Sequence, residues 1–200
     1  VCSSDLEARA LLADRPVPEY DTDRGADPHY LDYFHGRLAV SPSNVRIADS
    51  GWVWGPAGIV VSWDLNVWAT NNCWESEDGS TLVRMAPRHY SWDEPMCWLD
   101  DERLAVWGYG NDSLNLRPAV SIYDACTGGL HSWFAGPERG SLYFDGRLLN
   151  AVPGGGVSAW NVDTGERVAI DLSCTVLAFN PRTNRLLTFG DGELCESAVV

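Results

Sequence analysis

The side chains best suited to molecular recognition are concentrated in residues 66–95. Trp68, Trp74, Tyr90 and Trp92 alternate there with Glu75, Glu77, Asp78, Arg84, Arg88 and His89. Aromatic rings and guanidinium groups anchor protein interfaces, because they bury large areas and still offer directed polar contacts. The competing reading is a local mini-core capping one end of the molecule, since long aromatic loops also need packing of their own. Within this segment Trp68, Trp74, Arg88, His89 and Trp92 are the candidate binding residues.

Catalytic and metal chemistry find less support. Asp93 with Glu94, and Asp100 with Asp101 and Glu102, resemble acid/base pairs. Adjacent residues on a strand point to opposite faces, so such neighbours cannot share a substrate, and turn solvation is the better reading. The four histidines (His29, His35, His89, His131) have no serine or cysteine partner at a nucleophile elbow. Gly154–Gly156 lacks a phosphate-loop lysine and reads as a hairpin loop. Asp21, Asp23 and Asp27 alternate as calcium loops do, but Gly25 falls one place early and Asp32 stands where a bidentate Glu is needed. A solvated acidic linker is favoured. Cys2, Cys73, Cys97, Cys126, Cys174 and Cys195 form no C-x-x-C pair, which argues against zinc. No catalytic residue, metal or cofactor is expected.

Composition narrows the partner. The chain has 200 residues, ten tryptophans and a net charge of −14. That charge repels nucleic acid and anionic membrane surfaces, leaving a protein or peptide as the expected partner. All fourteen basic residues are arginine, which we read as codon bias. No run reaches the roughly 18 apolar residues that span a bilayer. Unpaired cysteines behave as small buried hydrophobes, and the expected setting is the cytoplasm. Residues 1–6 (VCSSDL) resemble a translated sequencing adapter, so the chain reads as a piece of a longer, metagenomic one. Residues 7–13 have helix-forming composition, and 7–29 read as a linker or the end of a preceding element.

The elements that would position the candidate residues are repeats. Val60–Asp64 (VVSWD), Val120–Asp124 (VSIYD) and Val157–Asn161 (VSAWN) each run apolar and end in an aromatic followed by Asp or Asn. Each follows another apolar run, at 45–48, 103–106 and 147–149, and a further such run, 185–189, has no partner after it. A theme recurring at about 40 residues marks a blade array. Asp124–Gly128 (DACTG) and Asn161–Gly165 (NVDTG) share one turn logic. The first side chain accepts backbone N–H bonds, and the final glycine supplies the left-handed conformation of a bulged hairpin. The chain then re-enters as a fourth strand at 130–134 and 167–170. Trp63, Tyr123 and Trp160 fall at matching positions and are expected to pack between sheets.

At these residues the chain resembles the WD-repeat β-propellers, in a divergent bacterial form. Ser41-Pro42 with Ile47-Ala48 looks like that family's first turn. Ser62–Asp64 resembles its naming dipeptide, and Trp160–Gly165 resembles the same stretch with its turn. The family's Gly-His pair precedes no blade, and Tyr123 replaces the tryptophan. The resemblance implies an all-β partial propeller of about three four-stranded antiparallel blades plus the start of a fourth. Blades are expected at about 30–75, 96–135, 141–171 and 174–200, with an insertion at 66–95. Trp63, Asp64, Tyr123, Asp124, Gly128, Trp160, Asn161 and Gly165 are the structural repeat positions. The implied function is a non-catalytic binding or scaffolding platform. The alternative is a propeller-type hydrolase or sensor whose catalytic residues lie outside this stretch.

Overall fold

In the computed structural model, residues 4–5, 10–11, 33–190 and 192–199 are described. The chain divides into two compact units, the first mainly residues 1–93 and the second mainly 94–200. Two short strands come first, β1 (Ser4–Asp5) and β2 (Ala10–Leu11), paired antiparallel. Ala10 and Leu11 are therefore extended where composition favours helix. The expected acidic linker, with Asp21 to Asp32, lies outside the described residues.

The first unit is built on one sheet. Its strands are β3 (Tyr33–Phe34), β4 (Leu38–Val40), β5 (Arg46–Val53) and β6 (Ala57–Asp64). Helices α1 (Leu65–Thr70) and α2 (Glu75–Asp78) follow, then β7 (Val83–His89). Sheet order is β3-β5-β6-β7, with β4 also paired to β5. Thus β3 and β4 form one interrupted edge strand. At the break, Gly36 N–H donates to Asp49 Oδ1 at 2.9 Å, so a side chain replaces the missing ladder bond.

The stretch read as an insertion is partly sheet. Its end, β7, pairs with β6 as the fourth strand. Pro87 and two arginines disguise it in the sequence, and Pro is tolerated because β7 is an edge strand with an irregularity in its register. Asp64 opens no hairpin turn; it caps α1, its Oδ1 accepting from Val67 N–H at 2.8 Å. Ile47, Val61, Trp63 and Trp68 form this unit's core.

The second unit holds three consecutive meanders. The first comprises β8 (Met96–Trp98), β9 (Arg103–Tyr109), β10 (Arg117–Asp124) and β11 (Leu130–Ala135). The next comprises β12 (Ser141–Phe144), β13 (Leu148–Val152), β14 (Gly156–Trp160) and β15 (Arg167–Asp171). The last comprises β16 (Thr175–Asn180), β17 (Arg185–Gly190) and β18 (Glu193–Ala198). In this unit every sheet joins sequence neighbours antiparallel, as the blades of an all-β partial β-propeller do. The run at 185–189 does have a partner after it, since β18 pairs along all of β17.

Alternation along the strands makes the middle sheet two-faced. Leu148 and Trp160 pack with Trp107, Val120, Ile122 and Phe134 of the preceding sheet. Leu149, Val157 and Ala159 pack with Leu186 and Val176 of the following one. The turn logic is also realised. Asn161 Oδ1 accepts from Asp163 and Thr164 N–H at 2.9 and 3.0 Å, and Gly165 has φ +69°. Register irregularities fall beside these turns, at Ile122/Tyr123 and Ala159/Trp160. Asp100 and Asp145 begin the turns between the first two strands of their sheets. Each accepts backbone N–H from the arginine that follows (Arg103, 2.7 Å; Arg147, 2.8 Å) and pairs with its side chain. Burial works against the Asp100 charge, but these bonds hold its carboxyl below the ordinary range.

Candidate functional site

The interrupted edge strand of the first unit places side chains alternately on its two sides. Tyr33 and His35 are partly buried, while Phe34 between them is exposed. On the inner side the Tyr33 hydroxyl accepts from Gly51 N–H at 3.0 Å and donates to Ile59 C=O at 3.1 Å. Burial and the Asp49 charge push the Tyr33 phenol upward, outweighing the Gly51 bond.

His35 is clamped between two carboxylates. Its Nδ1 bonds Asp49, and its Nε2 lies 3.1 Å from Glu77 Oε1. Asp49 and Glu77 are both buried. Burial alone disfavours the charged ring, but the bonds to Asp49 and Glu77 and their charges lift the His35 pKa to about 9. That shift favours the imidazolium at neutral pH, with both ring nitrogens bonded to carboxylates. Trp63 packs edge-on to this ring at 6.5 Å, but its own Nε1 is buried without a hydrogen-bond partner.

On the outer side lies a shelf of rings. Phe34 faces Trp52 across the β3–β5 pair and stacks on it, with centroids 4.3 Å apart. Trp54, two residues on, meets both edgewise at 6.0 and 5.4 Å. Trp92 reaches Trp52 at 5.6 Å. Trp54 is 67% exposed and Trp92 is 38% exposed. Gly58 permits this arrangement: a Cβ there would lie 1.6 Å from Ser91 C=O, so only glycine lets the Ser91–Trp92 segment lie against β6. That segment is tied down by Tyr90 N–H to Pro56 C=O (2.9 Å) and Asp93 N–H to Ser50 C=O (3.1 Å).

The five candidate binding residues do not converge. Trp68 is in the core, its Nε1 donating to Cys73 C=O at 3.2 Å. Trp74 is half-buried at the start of α2, and Arg88 is buried on β7. His89 is exposed, and its backbone bonds Asn111 C=O at 2.9 Å. Trp92 alone of the five joins the shelf. Phe34, Trp52 and Trp54 escape the sequence reading, although Gly51–Gly55 (GWVWG) carries a signal. Two tryptophans at strand spacing beside a Gly-Pro turn share one face at a hairpin tip, where burial is least available.

Glu75 is structural. It accepts from Thr81 N–H and Oγ1, both at 2.6 Å, and from Asn72 Nδ2 at 2.9 Å, and these bonds outweigh burial and lower its pKa. The second unit carries a smaller aromatic pair, Tyr109 stacked on Trp133 at 4.1 Å. Among the described residues no group of His, Cys, Asp or Glu is placed to hold a metal. No helix among them is long and apolar enough to cross a membrane.

No family model matches the chain, and no curated protein matches it. Among solved structures it is similar to the WD40 beta propeller domain of Doa1, at 11% identity and a TM-score of 0.49. The likeness covers 81% of this chain and 49% of that one, so the chain spans about half the length of that structure. The blade assignment stands on strand order within the sheets.

Proposed function

We propose that the protein is a non-catalytic propeller module that binds a protein or peptide through the shelf of Phe34, Trp52, Trp54 and Trp92. The observation that carries this reading is the exposure of Trp54 at 67% within a cluster of four touching rings. Clustered aromatic anchors bury large area with few rotamers to freeze, which is how interfaces gain most of their energy. The polar machinery beside the shelf supports a scaffold, since both His35 nitrogens are committed to carboxylates. A net charge of −14 disfavours nucleic acid as the partner. The cytoplasmic setting is part of the proposal, in keeping with five described cysteines that form no disulfide with one another.

The test is peptide display on the immobilised protein, followed by titration of the selected peptides. Trp54→Ala and Trp92→Ala are each expected to weaken them by about tenfold or more, the range of an interface hot spot. Selected peptides that bind both variants as well as the parent would overturn the shelf as the binding site.

A further inference from the structure

A cavity of about 180 Å³ opens beside Trp54 in the first unit. Val53, Ile59, Val61 and Leu82 form apolar walls, with Tyr33 and Trp54 adding rings. An apolar cavity of about 150 Å³ accommodates benzene, so this one has room for a single six-membered ring and a short chain. Two charged residues also line it, Glu77 and Arg84. They are not equivalent. Glu77 is buried and bonded through Oε1 to His35. Arg84 stands directly opposite Val61 on β7, is exposed, and forms no side-chain hydrogen bond or ion pair among the described residues. The charge available to a ligand is therefore positive, and a guanidinium prefers a carboxylate, which it can bind through two parallel N–H bonds.

We propose that this cavity binds a small aryl carboxylate, its ring against Val61 and Trp54 and its carboxylate on the Arg84 guanidinium. The site goes beyond the protein-binding shelf and shares only Trp54 with it. Three probes of matched size separate ring from charge: 3-phenylpropionate, 3-phenylpropylamine and 3-phenyl-1-propanol, titrated by calorimetry and by tryptophan fluorescence. The acid is expected to bind most tightly. Arg84→Gln removes an exposed side chain, and unchanged circular dichroism would certify its fold. That variant should lose about tenfold in affinity for the acid and little for the alcohol. Trp54→Ala should weaken all three probes. The proposal is overturned if the acid does not bind at millimolar concentration, if the amine binds as tightly, or if Arg84→Gln leaves acid binding unchanged. Display-selected peptides that still depend on Trp92 in that event would show that the cavity reading fails while the shelf survives.

Discussion

Replacing His35 with alanine leaves Asp49 and Glu77 buried with no cation between them. Removing one member of a buried charged set costs about 3–5 kcal/mol, much of it from the charges left behind. Urea unfolding of His35→Ala should show a loss of that order. The clamp also makes stability depend on pH in a definite direction. His35 titrates near 9 in the folded state and near 6.5 when free of its partners. Its contribution is therefore complete below about pH 6.5 and is lost as pH climbs through about 9. The amount is on the order of 3 kcal/mol. The melting temperature should fall across that window in the parent and much less in His35→Asn; parallel profiles would show that the ring is not charged in the fold. None of this was legible in the sequence. His35 carries no repeat partner, and Asp49 and Glu77 are brought to it only by a strand break and a four-residue helix. Tryptophans divide in the same way. Trp63 recurs at a repeat position and is fully buried in its own unit's core beside Trp68, whereas Trp52 and Trp54 belong to no repeat.

Turns and strand contacts were far more readable, because their demands are local. Apolar runs bounded by Asp, Asn and Gly place β9, β10, β11, β13, β14, β15 and β17 to within a few residues. Strands were missed where the local signal fails. In β7 Pro87 breaks the run, β18 is mostly exposed, and β3 has two residues. Glycine substitutions separate two kinds of turn. At Gly165, φ is +69° and a Cβ would lie 2.5 Å from Phe134 Cβ, so Gly165→Ala meets both backbone strain and the core. Gly146 has φ +105° but open space around it. Chemical denaturation should show Gly165→Ala losing on the order of 2–3 kcal/mol and Gly146→Ala about 1 kcal/mol. Equal losses would mean that the close approach to Phe134 is not maintained. Gly58→Ala reads out differently. It pushes Ser91 away from β6, so it should loosen Trp92 from Trp52 and raise tryptophan accessibility to acrylamide. An unchanged quenching constant would detach the shelf from the Gly58 contact.

Across the second unit, the same two-faced design recurs from sheet to sheet and leaves one face uncovered. Leu186 on β17 points into the cluster with Leu149, Val157 and Ala159. Its neighbours alternate outward: Leu187 is 40% exposed and Phe189 46%. Phe189 stands opposite Leu194 on β18, itself 64% exposed, so the outer face of the last sheet is an apolar patch framed by strands. The middle sheet shows what such a face can do, since each of its own apolar faces is packed against a neighbouring sheet. Flat apolar sheet surfaces in water drive self-association, and a net charge of −14 over the whole chain does not shield a local patch once the Debye length falls to about 10 Å at 0.1 M salt. The protein should therefore associate weakly and more so as salt rises. Light scattering on a dilution series would measure this. The double variant Leu187→Lys, Phe189→Glu changes only outward positions, so it should fold with the parent's melting temperature within a few degrees and scatter as a monomer at concentrations where the parent does not. Association that persists unchanged in this variant would place the sticky surface elsewhere. The shelf of Phe34, Trp52, Trp54 and Trp92 is then the patch to mutate next, and Trp54→Ala would distinguish it.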